Sequence, residues 1–95
     1  MGRRRHLVAY DIRDPVRLRR VHGVAKRYGY ALQYSVFICD LTEQELVHLR
    51  WDMTDEIDHR ADEVVIVDVG DARDTTKFEF LGVRKPLPRQ GPTIV

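Results

Sequence analysis

Apolar residues along this chain fall into three runs, which are separated by two segments of helical periodicity. The runs cover residues 6–12, 30–41 and 63–69. The first and the third are short and almost continuously apolar, which is typical of strands buried on both faces. The middle run has a pattern that fits either one long strand or two short strands around a tight turn near Tyr34-Ser35.

Both segments between the runs carry signals for the start of a helix. Asp14 can cap free backbone amides, and Pro15 fits the first helical position. Thr42 followed by Glu45 forms a capping box, and Gly29 is a natural C-terminal stop for the first helix. Apolar residues at helical spacing predict the buried faces: Leu18, Val21, Ala25 and Tyr28 in the first helix, and Leu46, Leu49, Met53 and Ile57 in the second.

The order of elements predicts an α+β fold. If the middle run is a hairpin, the order is βαββαβ, that of a ferredoxin-like sandwich. Both helices then pack on one face of the sheet, while the other face stays open although its strands are apolar on both sides. A second subunit is the simplest cover, so we expect a homodimer built on a core of residues 1–70.

Residues 71–95 differ in character from this core. A charged loop ends at Thr76, residues 77–81 alternate like a short strand, and Gly70 is expected to end the strand before them. The tail is too polar and too rich in proline for a core element, yet it finishes on apolar residues. We therefore expect it to lie along a partner subunit; its prolines and its apolar end are Pro86, Pro88, Pro92 and residues 93–95.

Length and composition narrow the class of protein. The 95 residues form one domain with a thin core of its own. The single cysteine, Cys39, lies in an apolar run and cannot form an internal disulfide, so it is interpreted as a core residue. No apolar run is as long as a signal peptide core or a membrane span. We expect a cytoplasmic protein with no membrane partner.

The net charge of +1 hides a strong asymmetry along the chain. Residues 1–34 hold nine Lys/Arg and two acids, a net charge of +7. Residues 40–74 hold three Arg and twelve acids, a net charge of −9, and residues 75–95 have a net charge of +3. Such a chain can present a basic face to a polyanion despite its nearly neutral total, although scattered surface charge would give the same counts.

Asp11 stands at the end of an otherwise apolar strand, where a charge is costly to bury without a partner. A carboxylate at a strand end suits Mg²⁺, which keeps several waters and takes one or two carboxylates. From the residues alone, a turn role or a salt bridge to Arg13 is the simpler explanation. The four histidines show no zinc-ligand spacing.

The first helix and the loop before it carry a dense group of basic residues. Phosphate contacts from such a group would give sequence-independent, salt-sensitive binding of nucleic acid. A solvated helix face is the alternative. The candidate nucleic-acid contacts are Arg13, Arg17, Arg19, Arg20 and Arg27, with Lys26 beside them.

Three motifs resemble the small CRISPR-associated nuclease family (the Cas two family). Residues 10–21, from Tyr10-Asp11-Ile12 through Asp14-Pro15 to Val21, resemble its opening motif. Residues 32–37 (LQYSVF) resemble its second signature, and residues 62–70 (DEVVIVDVG) its last core strand. The likeness covers residues 6–70 in order and spacing. Ala31 is a departure, because many relatives have an arginine at that position.

The resemblance implies a ferredoxin-like protomer in a symmetric homodimer, with a turn at Tyr34-Ser35 and the tail strand of one subunit joined to the sheet of the other. It implies that Asp11 is the metal ligand, and that two such aspartates hold Mg²⁺ or Mn²⁺ across the dimer. Residues implicated in nuclease activity or substrate contact correspond to Tyr10, Arg20 and Phe37.

These implications predict a metal-dependent endonuclease that hydrolyses phosphodiester bonds in RNA or DNA and binds duplex DNA as a dimer. The first alternative is a non-catalytic scaffold that binds DNA and bridges copies of the CRISPR integrase. The second is a toxin-like ribonuclease of similar fold, against which the signature at residues 33–37 argues.

Overall fold

The computed structural model of the protein describes residues 2–84 and 86–87, and its elements follow the order βαββαβ. The middle apolar run forms a hairpin with its turn at Tyr34-Ser35, so the alternative of one long strand is wrong. The elements are β1 (Arg4–Asp11), α1 (Pro15–Tyr28), β2 (Tyr30–Gln33), β3 (Val36–Leu41), α2 (Glu43–Glu56) and β4 (Glu63–Asp71).

The four strands form one antiparallel sheet in the order β2-β3-β1-β4, with β1 and β3 in its interior. A register shift interrupts the β1–β4 pairing between Arg5 and His6, where Arg5 pairs with Gly70. Gly70 has a φ of +105°, which a side chain would strain. The prediction that Gly70 ends the last strand is therefore wrong by one residue: the glycine bends the strand, which ends at Asp71.

Both predicted helix caps are confirmed. The Asp14 carboxylate accepts hydrogen bonds from the amides of Val16 and Arg17, at 3.0 Å each. The Thr42 hydroxyl accepts from the Glu45 amide, and the Glu45 carboxylate accepts from the Thr42 amide, as a capping box requires. These caps fix where α1 and α2 begin relative to the strands that precede them.

The two helices cover one face of the sheet and enclose the core. Leu18, Tyr28, Leu46 and Ile57 are half-buried at its margin, so the predicted helix faces are confirmed. Burial raises the pKa of the Cys39 thiol to about 12, which leaves it unreactive and supports its interpretation as a core residue. The core residues are Val8, Tyr10, Val21, Val24, Ala25, Phe37, Cys39, Leu41, Leu49 and Met53.

The opposite face of the sheet is apolar as predicted. Leu7 pairs with Val67 and Ala9 pairs with Val65 across β1 and β4. Val65 and Val67 are 44% and 43% exposed. We call the surface of these four residues the open face. The homodimer, in which a partner subunit would cover this open face, stays a prediction.

The tail does not form the predicted short strand within the single chain. Residues 77–81 are turn and irregular structure. A strand needs the edge of a neighbouring strand to satisfy its backbone hydrogen-bonding groups. The alternation of polar and apolar residues at 77–81 does not by itself provide such a neighbour. The expected apolar end at residues 93–95, with Pro88 and Pro92, lies outside the described residues. Among those that are described, no helix is long and apolar enough to cross a membrane.

Gly29 ends α1 as predicted, but the reason is space and not a left-handed backbone. Its φ of −168° is open to any residue. A Cβ at this position would overlap the carbonyl oxygen of Ile38 and lie 2.6 Å from the Cys39 sulfur. Gly29 therefore allows the end of α1 to pack closely against β3.

Replacing Gly29 with alanine is expected to lower the free energy of unfolding by about 1–3 kcal/mol, because the added methyl group overpacks the core. Gly23→Ala is the matched control, since nothing lies within 4 Å of a Cβ there. That change should raise the free energy by about 1 kcal/mol through helix propensity. Urea denaturation measures both variants, and an equal effect of the two would contradict the packing argument.

Candidate metal and nucleic-acid site

Asp11 lies at the exposed end of β1, where its side chain is 66% accessible to solvent. The Nη2 atom of Arg13 lies 3.7 Å from its Oδ2 atom, and Arg13 is also exposed. The salt bridge considered from the sequence therefore exists, but as a loose surface contact of little energetic weight. The carboxylate stays accessible to another cation.

Glu63 is a second carboxylate next to Asp11. The two residues are direct partners in the β1–β4 register, so their side chains leave the sheet on the same face. Like charges at such a position repel each other, and a cation between them relieves the repulsion. Glu63 has no local signal in the sequence, because its pairing with Asp11 depends on a register that the sequence does not reveal.

The described part of one chain does not contain a complete set of metal ligands. Asp11 offers the hard oxygen ligand that Mg²⁺ prefers, and its side chain is accessible. Within residues 2–84 and 86–87, however, no group of three or more His, Cys, Asp or Glu side chains could hold a metal ion. Asp11 thus fits a sparse, largely hydrated magnesium site that needs further ligands from water or from another chain.

Tyr10 points to the opposite face from Asp11 and is buried against α1. Its hydroxyl lies 2.8 Å from Nδ1 of His22 and donates to the backbone carbonyl of Tyr34 at 3.3 Å. Burial raises the pKa of Tyr10 to about 12, so the phenol stays protonated at neutral pH and cannot act as a general base there.

Phe37 lies beneath these groups in an aromatic cluster. It is almost completely buried and stacks on Tyr10 with a centroid distance of 6.2 Å. The His22 ring makes a T-shaped contact with Phe37 at a centroid distance of 5.4 Å, and it stacks on Tyr34 at a centroid distance of 5.3 Å. Phe37 is therefore inaccessible to a substrate in this chain; it supports Tyr10 and His22. The spacing of the histidines in the sequence bears only on metal binding and does not predict this aromatic contact of His22.

The predicted arginines are not equally available to phosphates. Arg17 is half-buried and donates two hydrogen bonds to Asp62, at 2.7 and 3.1 Å, so its role is structural. Arg27 is exposed but lies 3.3 Å from Asp52. Arg19 and Arg20 are exposed and form no ion pair within the described part of the chain. The basic surface expected from the sequence is therefore narrower, and centres on these two residues.

Asp62 is a structural residue that sequence analysis also missed. Besides the two bonds from Arg17, it accepts hydrogen bonds from the backbone amides of Arg13 and Asp58, at 2.9 and 2.8 Å. It thus ties the loop after β1, which carries Arg13, to the turn before β4. The Arg17 guanidinium and the two amides hold the pKa of Asp62 well below its ordinary value of 3.8.

Asp62→Asn is expected to destabilise the fold at neutral pH and to lose that effect in acid. Because the folded-state pKa is depressed, the carboxylate stabilises the fold above pH 3.8, and this contribution disappears as the pH falls toward the lower folded-state value. Thermal melts of wild type and Asp62→Asn over this range measure the difference. A difference in melting temperature between the two proteins that stayed constant down to the lowest pH would contradict this assignment.

The fold and the surroundings of Asp11 together define a class of protein: a small ferredoxin-like domain in which an exposed strand-end carboxylate adjoins a helix with exposed arginines. The chain belongs to the CRISPR-associated Cas2 family, because the model of that family, described as CRISPR associated protein Cas2, matches residues 4–77. The family expected from the three sequence motifs is thereby confirmed.

Relatives and solved structures agree with this assignment. A CRISPR-associated endoribonuclease Cas2 from Rhodospirillum rubrum is 39% identical over 80 residues, covering 78% of each chain. Another from Thermodesulfovibrio yellowstonii is 44% identical over 61 residues, covering 64% of this chain and 67% of its own. The crystal structure of Streptococcus pyogenes Cas2 has a TM-score of 0.73 at 32% identity, covering 82% of this chain and 99% of its own.

A hypothetical protein from Thermus thermophilus has the same fold, with a TM-score of 0.77 at 35% identity and coverage of 97% and 98%. The predicted ferredoxin-like α+β fold is thus confirmed. Several relatives are named endoribonucleases, and one from Halalkalibacterium halodurans is named an endonuclease. At the level of the family, this is a CRISPR-associated nuclease.

Proposed function

We propose that the protein is a metal-dependent endonuclease that hydrolyses phosphodiester bonds in RNA or DNA as a symmetric homodimer. Asp11 from each of two copies holds Mg²⁺ or Mn²⁺ between them. The observation that carries this proposal is the accessible Asp11 carboxylate at the end of β1, next to the helix that bears Arg19 and Arg20. The names of the relatives support the reaction class.

The direction of the Asp11 side chain supports a shared site. Side chains two residues apart on a strand point to the same face, so Asp11 leaves β1 on the same side as Leu7 and Ala9. These residues belong to the open face, which is apolar and on which Val65 and Val67 are exposed. A second copy covering this face with two-fold symmetry would bring two Asp11 carboxylates toward each other.

The chain's own groups take distinct parts in the reaction. The bound metal would activate a water molecule and offset charge on the phosphate. Asp11 would hold that metal, Glu63 would add negative charge on the same face, and Arg19 and Arg20 would position the nucleic-acid backbone. Tyr10 keeps its proton and fixes the hairpin turn through the Tyr34 carbonyl.

A second candidate is a non-catalytic scaffold that binds duplex DNA and bridges copies of the CRISPR integrase. It is favoured by the lack of a complete metal site in the described part of one chain and by a phenol that cannot serve as a base. Free arginines on α1 would suffice for its phosphate contacts. The third interpretation, a toxin-like ribonuclease, has lost its support, because the chain belongs to the Cas2 family.

Cleavage measured with and without metal separates the two candidates. Labelled RNA and duplex DNA are incubated with Mg²⁺, with Mn²⁺ and with a chelator, and binding is measured in the chelator alone. The nuclease requires cleavage that stops in the chelator. Binding that weakens steeply with salt, with no cleavage under any condition, would overturn the nuclease and favour the scaffold.

A further inference from the structure

We propose that Tyr34 is a platform on which an unpaired nucleobase stacks, so that this edge of the protein selects single-stranded over duplex nucleic acid. The proposal deepens the proposed function and assumes from it only that the chain binds nucleic acid. Its first basis is exposure: the Tyr34 side chain lies at the tip of the β2–β3 hairpin and is 67% accessible to solvent.

One face of the Tyr34 ring packs against a neighbouring side chain, which holds the ring in place. It stacks on His22 at a centroid distance of 5.3 Å and an interplanar angle of 19°. His22 is itself fixed by Tyr10, whose hydroxyl lies 2.8 Å from its Nδ1 atom, and by the edge contact with Phe37. One face of the Tyr34 ring is thus occupied, and the rest of the exposed ring is presented to solvent in a fixed orientation.

The backbone of the hairpin turn is fixed as well. Tyr10 donates from its hydroxyl to the Tyr34 carbonyl at 3.3 Å, and from its amide to the Ser35 carbonyl at 3.1 Å. A ring that is already ordered loses little conformational entropy when a base stacks on it. The same bonds place the turn beside the end of β1, where Asp11 follows Tyr10.

Cations lie on the side of α1 from which His22 reaches Tyr34. Arg19 precedes His22 by three residues and Lys26 follows it by four, so both lie on the same helix surface. Both are exposed and have no ion pair among the residues that the structure describes. A flat aromatic ring flanked by cations is the combination that binds single strands, because the ring stacks a base while the cations contact the backbone.

A duplex gains much less from such a ring. Its bases are already paired and stacked, and exposing one to a protein ring costs a few kcal/mol. Phosphate contacts from Arg19 and Lys26 remain available to both forms. Tyr34 therefore discriminates between the forms, while the cations set affinity for either.

Trp51 offers a matched control for an exposed aromatic ring. Its side chain is 63% exposed, and among the aromatic residues that the structure describes it contacts His48 alone, at a tilted angle of 41°. It lies on α2, within the stretch that has a net charge of −9. Negative charge around Trp51 disfavours a polyanion, so exposure alone does not make this ring a nucleic-acid contact.

Fluorescence anisotropy in the presence of a chelator tests the proposal without any cleavage. The probes are a labelled single-stranded oligoadenylate and a labelled duplex. Tyr34→Ala should weaken single-strand binding roughly 5- to 100-fold, the range expected for one stacked base, and leave duplex binding unchanged. Tyr34→Trp should retain binding, and Trp51→Ala should change neither probe.

Two results would contradict the stacking role of Tyr34. They are unchanged single-strand binding by Tyr34→Ala, or an equal loss of affinity for the single strand and the duplex. An equal loss with dissociation of the dimer in sedimentation would assign Tyr34 to a subunit interface. Because the chelator removes cleavage from the assay, a failed metal test leaves this result intact, and a failed Tyr34 test leaves the Asp11 mechanism intact.

A direct readout of stacking uses the fact that Trp51 is the only tryptophan in the sequence. In a Trp51→Phe background, Tyr34→Trp places the sole indole on the platform. Its fluorescence should be quenched by the oligoadenylate and not by an abasic strand of the same length. Equal quenching, or none with either strand, would contradict stacking.

Discussion

Asp11→Asn is expected to reduce metal-dependent cleavage by at least about 100-fold, since several kcal/mol of transition-state stabilisation come from the bound metal. The variant keeps the size of the side chain and removes its charge. The effect should be larger than for a site with several ligands per chain, because a symmetric dimer loses both carboxylates at once. The fold should remain intact, as the Asp11 side chain is exposed and only loosely paired with Arg13.

The measurement is initial-rate cleavage of RNA and of duplex DNA at saturating Mg²⁺. Asp55→Asn is the control, because Asp55 is an exposed carboxylate on α2, far along the chain from β1. It should cleave like wild type. Cleavage by Asp11→Asn at the wild-type rate would eliminate Asp11 from the mechanism and leave the scaffold as the better account.

The second large effect is expected at a buried ion pair, which lies on the face of the sheet opposite the core. Arg5 on β1 and Asp40 on β3 are register partners joined by two hydrogen bonds, at 2.8 and 2.9 Å. Their side chains are only 0% and 1% exposed. Asp40→Ala should lower the free energy of unfolding by about 3–5 kcal/mol, because it leaves a buried guanidinium without its carboxylate.

Such a loss is a large part of the stability of a small domain. Chemical denaturation measures it. The exposed pair of Arg4 and Asp68 supplies the control, and Asp68→Ala should have a much smaller effect because solvent already screens that pair. Replacing Arg5 with Met together with Asp40→Leu should recover most of the loss. A loss for Asp40→Ala no larger than for the control would contradict the burial argument.

Local signals in the sequence were sufficient to predict the two helices of the fold. The caps at Asp14 and Thr42 and the spacing of the apolar helix residues depend on neighbours within a few positions, and the structure confirms them. The hairpin could not be separated from a single long strand by periodicity. Gly29 was placed correctly for an incomplete reason, because its close contact with Ile38 involves a strand that is distant in sequence.

The candidate site was predicted less completely, because its contacts also join residues that are distant in sequence. The partners of Asp62, the pairing of Asp11 with Glu63 and the contact of His22 with Tyr34 all arise from strand register and helix packing. Arg17 resembles the arginines near it in sequence, yet it forms a bidentate bond with Asp62, whereas Arg19 and Arg20 form no ion pair within the described residues. Composition identifies a basic helix, but only the fold shows which of its cations are free.

The C-terminal part of the chain illustrates what a single subunit leaves open. The alternation at residues 77–81 predicts a strand, and the single chain forms none there. Val65 and Val67 stay exposed on the open face. Both features fit the proposed dimer, in which a second copy would supply an edge for the tail and a cover for the valines.

The stoichiometry of metal binding tests the central claim, a site made of Asp11 from two chains. Mn²⁺ replaces Mg²⁺, and electron paramagnetic resonance counts the free ion as the protein is titrated. The shared site should bind one Mn²⁺ for every two chains, and Asp11→Asn should abolish this binding. One ion per chain, or binding that survives in Asp11→Asn, would contradict it.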